Sequence, residues 1–344
     1  MGNFEEYMVD VMNKSALSLM LSVGHRTKLF ESMKDSSQMT SQQIADKAKL
    51  NERYVREWLG AMVTGKIIDY DPLQKVYSLS EDKIEFLCNG NNYNFAASMQ
   101  WIPALAQVEN DIINCFENGG GVPYESFERF HEVMAEESGQ TVLPALIDSI
   151  LPLVPELVEK LKSGIDVLDV GCGSGRALNL MAQSFPNSHF TGYDFSKEAI
   201  SNATKESQRL GNDNVNFQVQ DIEHFPQGKT FDVIFAFDAI HDQAAPTIVL
   251  KNIHSAIAKN GLFFMQDIGS SSKLENNFDH LLGPFLYTIS CLHCMTVSLA
   301  LDGEGLGAMW GKEKAIEMLN QAGFVDVEVK QLPHDAMNYY YIAK

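Results

Sequence analysis

Residues 167–175 read Val167-Leu168-Asp169-Val170-Gly171-Cys172-Gly173-Ser174-Gly175, and the fold follows from how this stretch is taken. An apolar run of strand length enters a turn with glycine at every second position, and a helical pattern follows. Glycines at such a turn let the backbone approach a ligand closely. A dinucleotide fingerprint places G-x-G-x-x-G here, with the pyrophosphate on the helix N-terminus. This loop is G-x-G-x-G, one residue shorter, with Asp169 two places ahead of Gly171. A purely structural turn is the remaining reading, and the acids that recur after the following strands argue against it.

Outward from the loop, strands and helices alternate. Strands are expected at 166–170, 189–193, 215–219, 232–237 and 262–266, and helices at 177–185, 197–210 and 245–258. Such alternation predicts a parallel, doubly wound α/β sheet. The end of the chain breaks the pattern. A helix over 312–322 precedes strands at 325–331 and 338–343, and the short 332–337 connection is too brief for a crossover. Those two strands should therefore pair antiparallel.

The N-terminal part reads differently. Residues 15–33 form an amphipathic pattern, Thr40 is placed to cap a helix over 41–48, and Asn51 to cap another over 52–64. Gly65 ends that helix, and a hairpin turning at Asp71-Pro72 follows. Three helices and a two-stranded wing make a winged helix. Residues 1–85 carry 11 Lys+Arg against 13 Asp+Glu, a net of −2. A DNA reader should show a basic stripe, so this module is expected to mediate dimerisation, and nucleic acid is not an expected partner.

Composition narrows the class. The 344 residues imply about two domains. With 26 Lys+Arg and 45 Asp+Glu the net charge is −19, which opposes binding to phosphate backbones. No uninterrupted apolar run reaches the length of about 18 residues needed to span a membrane. Five cysteines in a chain of this length suit a reducing compartment, so a cytoplasmic protein is expected. Cys291 and Cys294 form a C-x-x-C pair without a second pair to complete a zinc site, and no metal is expected.

Two positions beyond the loop carry chemistry. Asp194 follows the second strand, 23 residues after Gly171, where a carboxylate can accept hydrogen bonds from ribose hydroxyls. The fourth strand leads into Ile240-His241-Asp242 at the carboxyl end of the sheet, where ligands of such folds sit. Histidine is the side chain best matched to taking a proton near neutral pH.

The G-x-G-x-G loop preceded by Asp169 resembles motif I of class I S-adenosylmethionine (SAM) methyltransferases. The stretch IHDQAAPTIVLKNIHSAIAKNGLFFMQDI, residues 240–268, resembles the corresponding region of winged-helix small-molecule O-methyltransferases. Nearly the whole chain resembles winged-helix methyltransferases of the transcriptional-regulator-like type. The resemblance implies a Rossmann-like class I methyltransferase domain with a terminal antiparallel strand, preceded by a mostly helical winged-helix domain. It implies SAM as cofactor and S-adenosylhomocysteine (SAH) as product. Asp169, Gly171, Cys172, Gly173, Gly175, Asp194, Phe195, Gln220, Asp221, Ile222 and Phe237 would bind it, with Asp221 receiving the adenine amino group. His241 maps onto the general base of that family, with Asp242 beside it, while Gln243 stands where Trp is common. No second acid that would orient the base is evident at the level of motif.

The expected division is 1–85 as a winged-helix dimerisation domain, 86–160 as a helical linker contributing to the acceptor pocket, and 161–344 as the SAM-binding domain. An insertion over 268–311 should form a lid, with His293 as a second candidate base. Trp101, Tyr124, Phe127, Tyr287, Met309 and Trp310 are expected to line the pocket. The function expected is methylation of a hydroxyl, thiol or amine on a small molecule by a homodimer. The alternative is a transcriptional regulator using a SAM fold as sensor.

Overall fold

The computed structural model describes every residue except Met1, Gly2, Ser36, Asn91, Asn92, Gln227, His334 and Ala336. The chain divides into two compact units. One runs to Ala106 and takes in Glu132–Gln140, and the other comprises Gln107–His131 and Thr141–Lys344. The 86–160 stretch is thus shared between the units.

In the first unit, the side chain of Thr40 accepts from the Gln43 amide and the Gln43 side chain answers at the Thr40 amide, a reciprocal cap for the helix Ser41–Ala48. Asn51 caps Glu52–Thr64 through the Arg53 amide. The wing is β1 (Asp69–Asp71) paired antiparallel with β2 (Val76–Ser78). Trp58, Leu59, Met62, Ile44 and Phe30 form the core between these elements. Arg53 and Arg56 on the candidate recognition helix are paired with Glu57 and Glu52 of the same helix, so their charge is largely neutralised locally.

The first helix departs from the sequence pattern. It runs from Phe4 to Arg26 and the chain then breaks at Lys28, which has φ +60°, before Leu29–Ser32. Its early turns carry exposed apolar side chains, Phe4, Tyr7, Met8 and Met12. They recur at i, i+3, i+4 and i+8 and so share one face, and the helix starts earlier than the 15–33 pattern placed it.

The second unit is built on a seven-stranded sheet. Its strands are β3 (Asp166–Val170), β4 (His189–Asp194), β5 (Val215–Val219), β6 (Phe231–Phe237), β7 (Ile257–Ile268), β8 (Val327–Lys330) and β9 (Asn338–Ala343), in the order β5-β4-β3-β6-β7-β9-β8. β3 to β7 are parallel, and β9 lies antiparallel to both β7 and β8. The final hairpin is as expected from its short connection. Burial explains the register: β3, β6 and β7 are near-continuous apolar runs covered on both faces. One face packs Leu178, Met181, Leu157 and Leu161, and the other Val249, Leu250, Ala315 and Leu319. The strand order reverses between β3 and β6. That switch point places the loops after Val170 and Phe237 side by side at the carboxyl end of the sheet.

Candidate active site

The loop after β3 needs its glycines. Gly171 has φ +70°, and a Cβ there would meet the Ala239 Cβ at 2.5 Å. Gly173 has φ +53°, and nothing lies within 4 Å of where a Cβ would stand, which leaves its outer side open to a ligand. Below the loop, Asp169 is buried, and its Oδ1 has no hydrogen-bond partner. Burial, reinforced by the neighbouring Asp194 charge, pushes its carboxyl well above the usual range. A buried acceptor without a partner is costly, and a ligand amine beside the loop would satisfy it.

Asp194 ends β4 and is also buried. Its Oδ2 accepts from the Gly173 amide at 2.9 Å and its Oδ1 from the Ser196 amide at 2.8 Å. These bonds aim the carboxylate at the loop and leave a further lone pair on each oxygen. Burial raises its pKa against the opposing pull of those two amides and of His131. Phe195 is 52% exposed, with its edge against Tyr124 at 5.4 Å between centroids. Asp221 is exposed. It caps the turn Ile222–His224 through the Glu223 amide and pairs with His224 at 2.9 Å. Gln220 bonds the carbonyls of Asp221 and His224, Ile222 is buried under the turn, and Phe237 stacks on Phe235. Cys172 holds its amide to the Tyr193 carbonyl at 3.0 Å. An unpartnered buried acceptor, a ribose-sized carboxylate and an open glycine turn fit the amine, sugar and backbone-facing edge of SAM.

His241 lies just past β6 and is 4% exposed. Its Nδ1 is 2.8 Å from Asp267 Oδ1, at the end of β7. The same oxygen accepts from the Trp310 indole at 3.0 Å and from the Ile268 amide at 2.8 Å. An oxygen that accepts three donors fixes the imidazole tautomer: the proton sits on Nδ1, and Nε2 is the basic nitrogen. Burial favours the neutral ring, but the Asp267 charge outweighs it with help from Cys294, and His241 is held well above the ordinary histidine value. Asp242 is partly buried, and burial lifts its carboxyl to about 6 against the pull of His241.

Asp267 is the functional residue that motif reading missed. It is the acid closing the 240–268 stretch, and only the β6–β7 register, with Phe237 opposite Gln266, brings it beside His241. It supplies the orienting acid that the motif lacked. Trp310 braces this acid from the loop before the helix Gly311–Ala322.

His293 is fully buried in a π-turn, Ser290–Cys294. It stacks on Phe130 at 3.5 Å and meets the edges of Phe127 at 4.7 Å and Tyr124 at 5.2 Å. Neither ring nitrogen has a partner, and burial drives its pKa well below the usual value, so the ring is neutral. Tyr287 accepts from Asn277, and Met309 packs with Leu286 and Ala308. Trp101 belongs to the N-terminal unit. Cys291 and Cys294 are free thiols. No group of three potential ligands that could hold a metal ion occurs among the described residues.

Residues 15–89 match the family model of the Rv2258c-like winged HTH domain, and residues 161–323 match a methyltransferase domain. Human N-acetylserotonin methyltransferase in complex with SAM shares the fold over 100% of this chain and 98% of its own, with TM-score 0.74 and 14% identity. The mitomycin 7-O-methyltransferase MmcR does so over 99% and 97%, with TM-score 0.75 and 13% identity. By sequence, the chain is 26% identical to the (S)-tetrahydroprotoberberine N-methyltransferase of Eschscholzia californica, over 41% of this chain and 42% of that protein. It is 26% identical to the malonyl-[acyl-carrier protein] O-methyltransferase of Bacillus cereus, over 46% of this chain and 53% of that one. The matched segments span 42% to 66% of the length of the first three curated relatives. The glycine loop and the acids beside it stand inside the second of the two matches: the chain carries an N-terminal winged HTH domain of the Rv2258c-like type followed by a methyltransferase domain.

Proposed function

We propose that the protein transfers the methyl group of SAM to a hydroxyl, thiol or amine of a small molecule, with His241 as the general base. The observation that carries this reading is the buried His241–Asp267 pair, set one strand-end away from the glycine loop. When bound, SAM supplies an electrophilic methyl group on a sulfonium. Everything else falls to the chain. Asp169 and the glycine turn would hold the amino-acid end, and Asp194 would hold the ribose. Phe195, Gln220, Asp221, Ile222 and Phe237 would surround the adenine. Nε2 of His241 is the nitrogen that would take the acceptor's proton. Asp267 then stabilises the imidazolium through Nδ1–H. Holding the nucleophile at roughly 3 Å and excluding water supplies much of the acceleration. Tyr124, Phe127 and the neutral ring of His293 form an aromatic wall that suits a largely apolar acceptor.

The protein acts as a cytoplasmic homodimer in this reading. The exposed apolar side chains of the helix Phe4–Arg26 support a partner surface, and free cysteines suit a reducing compartment.

Calorimetry with SAM, SAH and NADH, followed by labelled-methyl transfer into a metabolite extract, tests the function. Micromolar SAH binding and a labelled small-molecule product are expected. NADH binding without SAM affinity would overturn the reading.

A further inference from the structure

The carboxyl end of the sheet holds a second group of buried polar atoms that base and cofactor leave unused. Side chains alternate along a strand, so Gln266 points to the opposite face of β7 from Asp267. Gln266 lies opposite Tyr340 on β9, and Asn338 shares that face two residues earlier. Asp238 follows β6, and its Oδ2 accepts from Gln266 Nε2 at 2.8 Å. Asp335 joins the group from the β8–β9 connection. Its carboxylate accepts from Asn338 Nδ2 at 3.0 and 3.2 Å and from the Tyr340 hydroxyl at 2.5 Å.

Three oxygens in this group have no partner among the described residues: Asp238 Oδ1, Gln266 Oε1 and Asn338 Oδ1. Gln266 is 0% exposed and Asn338 6%. All three atoms are acceptors, so what is missing is a donor. Buried polar groups are ordinarily satisfied, and three unpaired acceptors in one cluster call for a ligand that brings N–H groups. The backbone points the same way. Asp238 has φ +50°, a left-handed conformation that a non-glycine residue keeps only when its surroundings hold it there. No Lys or Arg figures among the charges that act on Asp238, which are Asp267, His241, Asp335 and Asp242. Burial and the surrounding acids push the Asp238 carboxyl up to about 7, and the one basic side chain among those charges, His241, is already paired with Asp267, so a cation beside Asp238 is favoured.

The group is distinct from the cofactor end. Asp169 responds to Asp194, whereas Asp238 responds to Asp267, His241, Asp335 and Asp242. Asp238 stands at the same end of the sheet as His241, three residues ahead of it in the chain. A primary ammonium has three N–H donors and no acceptor, which matches three unpaired oxygens. A metal ion fits less well, because two of the three oxygens are neutral amide carbonyls and no third His, Cys, Asp or Glu completes a set among the described residues.

Resting on the methyltransferase reading above, we infer that Asp238, Gln266 and Asn338, backed by the Asp335 carboxylate, receive a primary ammonium group of the methyl acceptor. The ammonium is a recognition handle and not the methylated atom.

The experiment uses the full chain saturated with SAH. Calorimetry first establishes SAH binding. 2-Phenylethylamine, 2-phenylethanol and phenylacetate are then titrated as cationic, neutral and anionic probes of one shape, with magnesium chloride and potassium chloride as metal probes. The amine should bind at least tenfold tighter than the alcohol, and phenylacetate weakest. Asp238→Asn should remove the preference for the amine and leave binding of the alcohol unchanged. Asp335→Asn, one hydrogen-bond step further from the unpaired oxygens, should weaken the amine by a smaller factor and serves if the first variant does not fold. Equal affinity for amine and alcohol, or no binding of the amine, overturns the inference and means that ordered water fills the site. A response to the metal salts alone overturns it in favour of a metal site. SAH binding without amine preference sinks this inference only, whereas absence of SAH binding sinks the methyltransferase reading with it.

Discussion

Replacing Asp267 by Asn isolates the charge behind the base. The amide keeps an oxygen where Oδ1 accepts from His241, Trp310 and Ile268, so the imidazole should stay in place. Its NH2 group takes the position of Oδ2, which has no partner to lose. What disappears is the negative charge that holds the imidazolium. A hydrogen bond to a charged group contributes about 1.5–3 kcal/mol. At 1.36 kcal/mol per tenfold in rate, kcat for Asp267→Asn should fall about 10- to 150-fold. The pH profile gives a second signature. Asp267 raises the pKa of His241, so the wild-type rate should climb with pH along a limb above the ordinary value of about 6.5. Without the charge that limb moves to lower pH while the plateau drops. Stability carries the same sign. A raised folded-state pKa contributes stability that is complete below the unfolded value of about 6.5 and is lost as pH rises through the folded value. That slope should flatten in the variant. Single-turnover transfer at saturating SAM, across pH, is the assay. A plateau within about threefold of wild type, or a limb that does not move, would refute a catalytic His241–Asp267 pair.

Three further outcomes follow from the site. His241→Gln should lower kcat by about 10²–10⁴-fold, the usual range for a general base, with SAH affinity by calorimetry unchanged; retention of more than about a third of the rate would leave proximity as the main contribution. Asp194→Ala should weaken SAH by about 1.5–3 kcal/mol, and an unchanged Kd would remove Asp194 from the ribose. Gly171→Ala should abolish SAH binding, because the residue sits at φ +70° with its new methyl 2.5 Å from the Ala239 Cβ; near-normal binding would mean the loop is not the cofactor cradle.

Local signals carried most of the fold into the sequence. The strand–glycine–helix unit at 166–184 and the capped helices at 41–64 are set by neighbours in the chain, and they could be read there. The 332–337 connection likewise required an antiparallel pair. That β9 inserts between β7 and β8 was not legible, because it depends on which sheet edge is open once β7 is in place. The active site divides in the same way. Asp169, Asp194 and His241 each stand next to a strand end. Asp267 is 26 residues from its partner, and their meeting depends on parallel register, which leaves no periodic trace. The aromatic enclosure of His293 joins the 124–130 and 290–294 segments through tertiary packing alone.

The interior position of β9 sets the order in which the protein can be built. Residues 338–343 follow β8 in the chain, yet β8 pairs with no strand other than β9 among the described residues. Until they emerge, β7 presents a bare edge of backbone donors and acceptors over Phe263–Ile268, the segment that bears Asp267. The winged-helix module can fold while synthesis continues, since its core closes within the first hundred residues. The catalytic unit must wait for β9. Nascent molecules therefore pass through an interval in which an unpaired, apolar strand edge is available to other chains. Loss of the final strand would reach the base through Asp267, although no residue of that strand takes part in the chemistry.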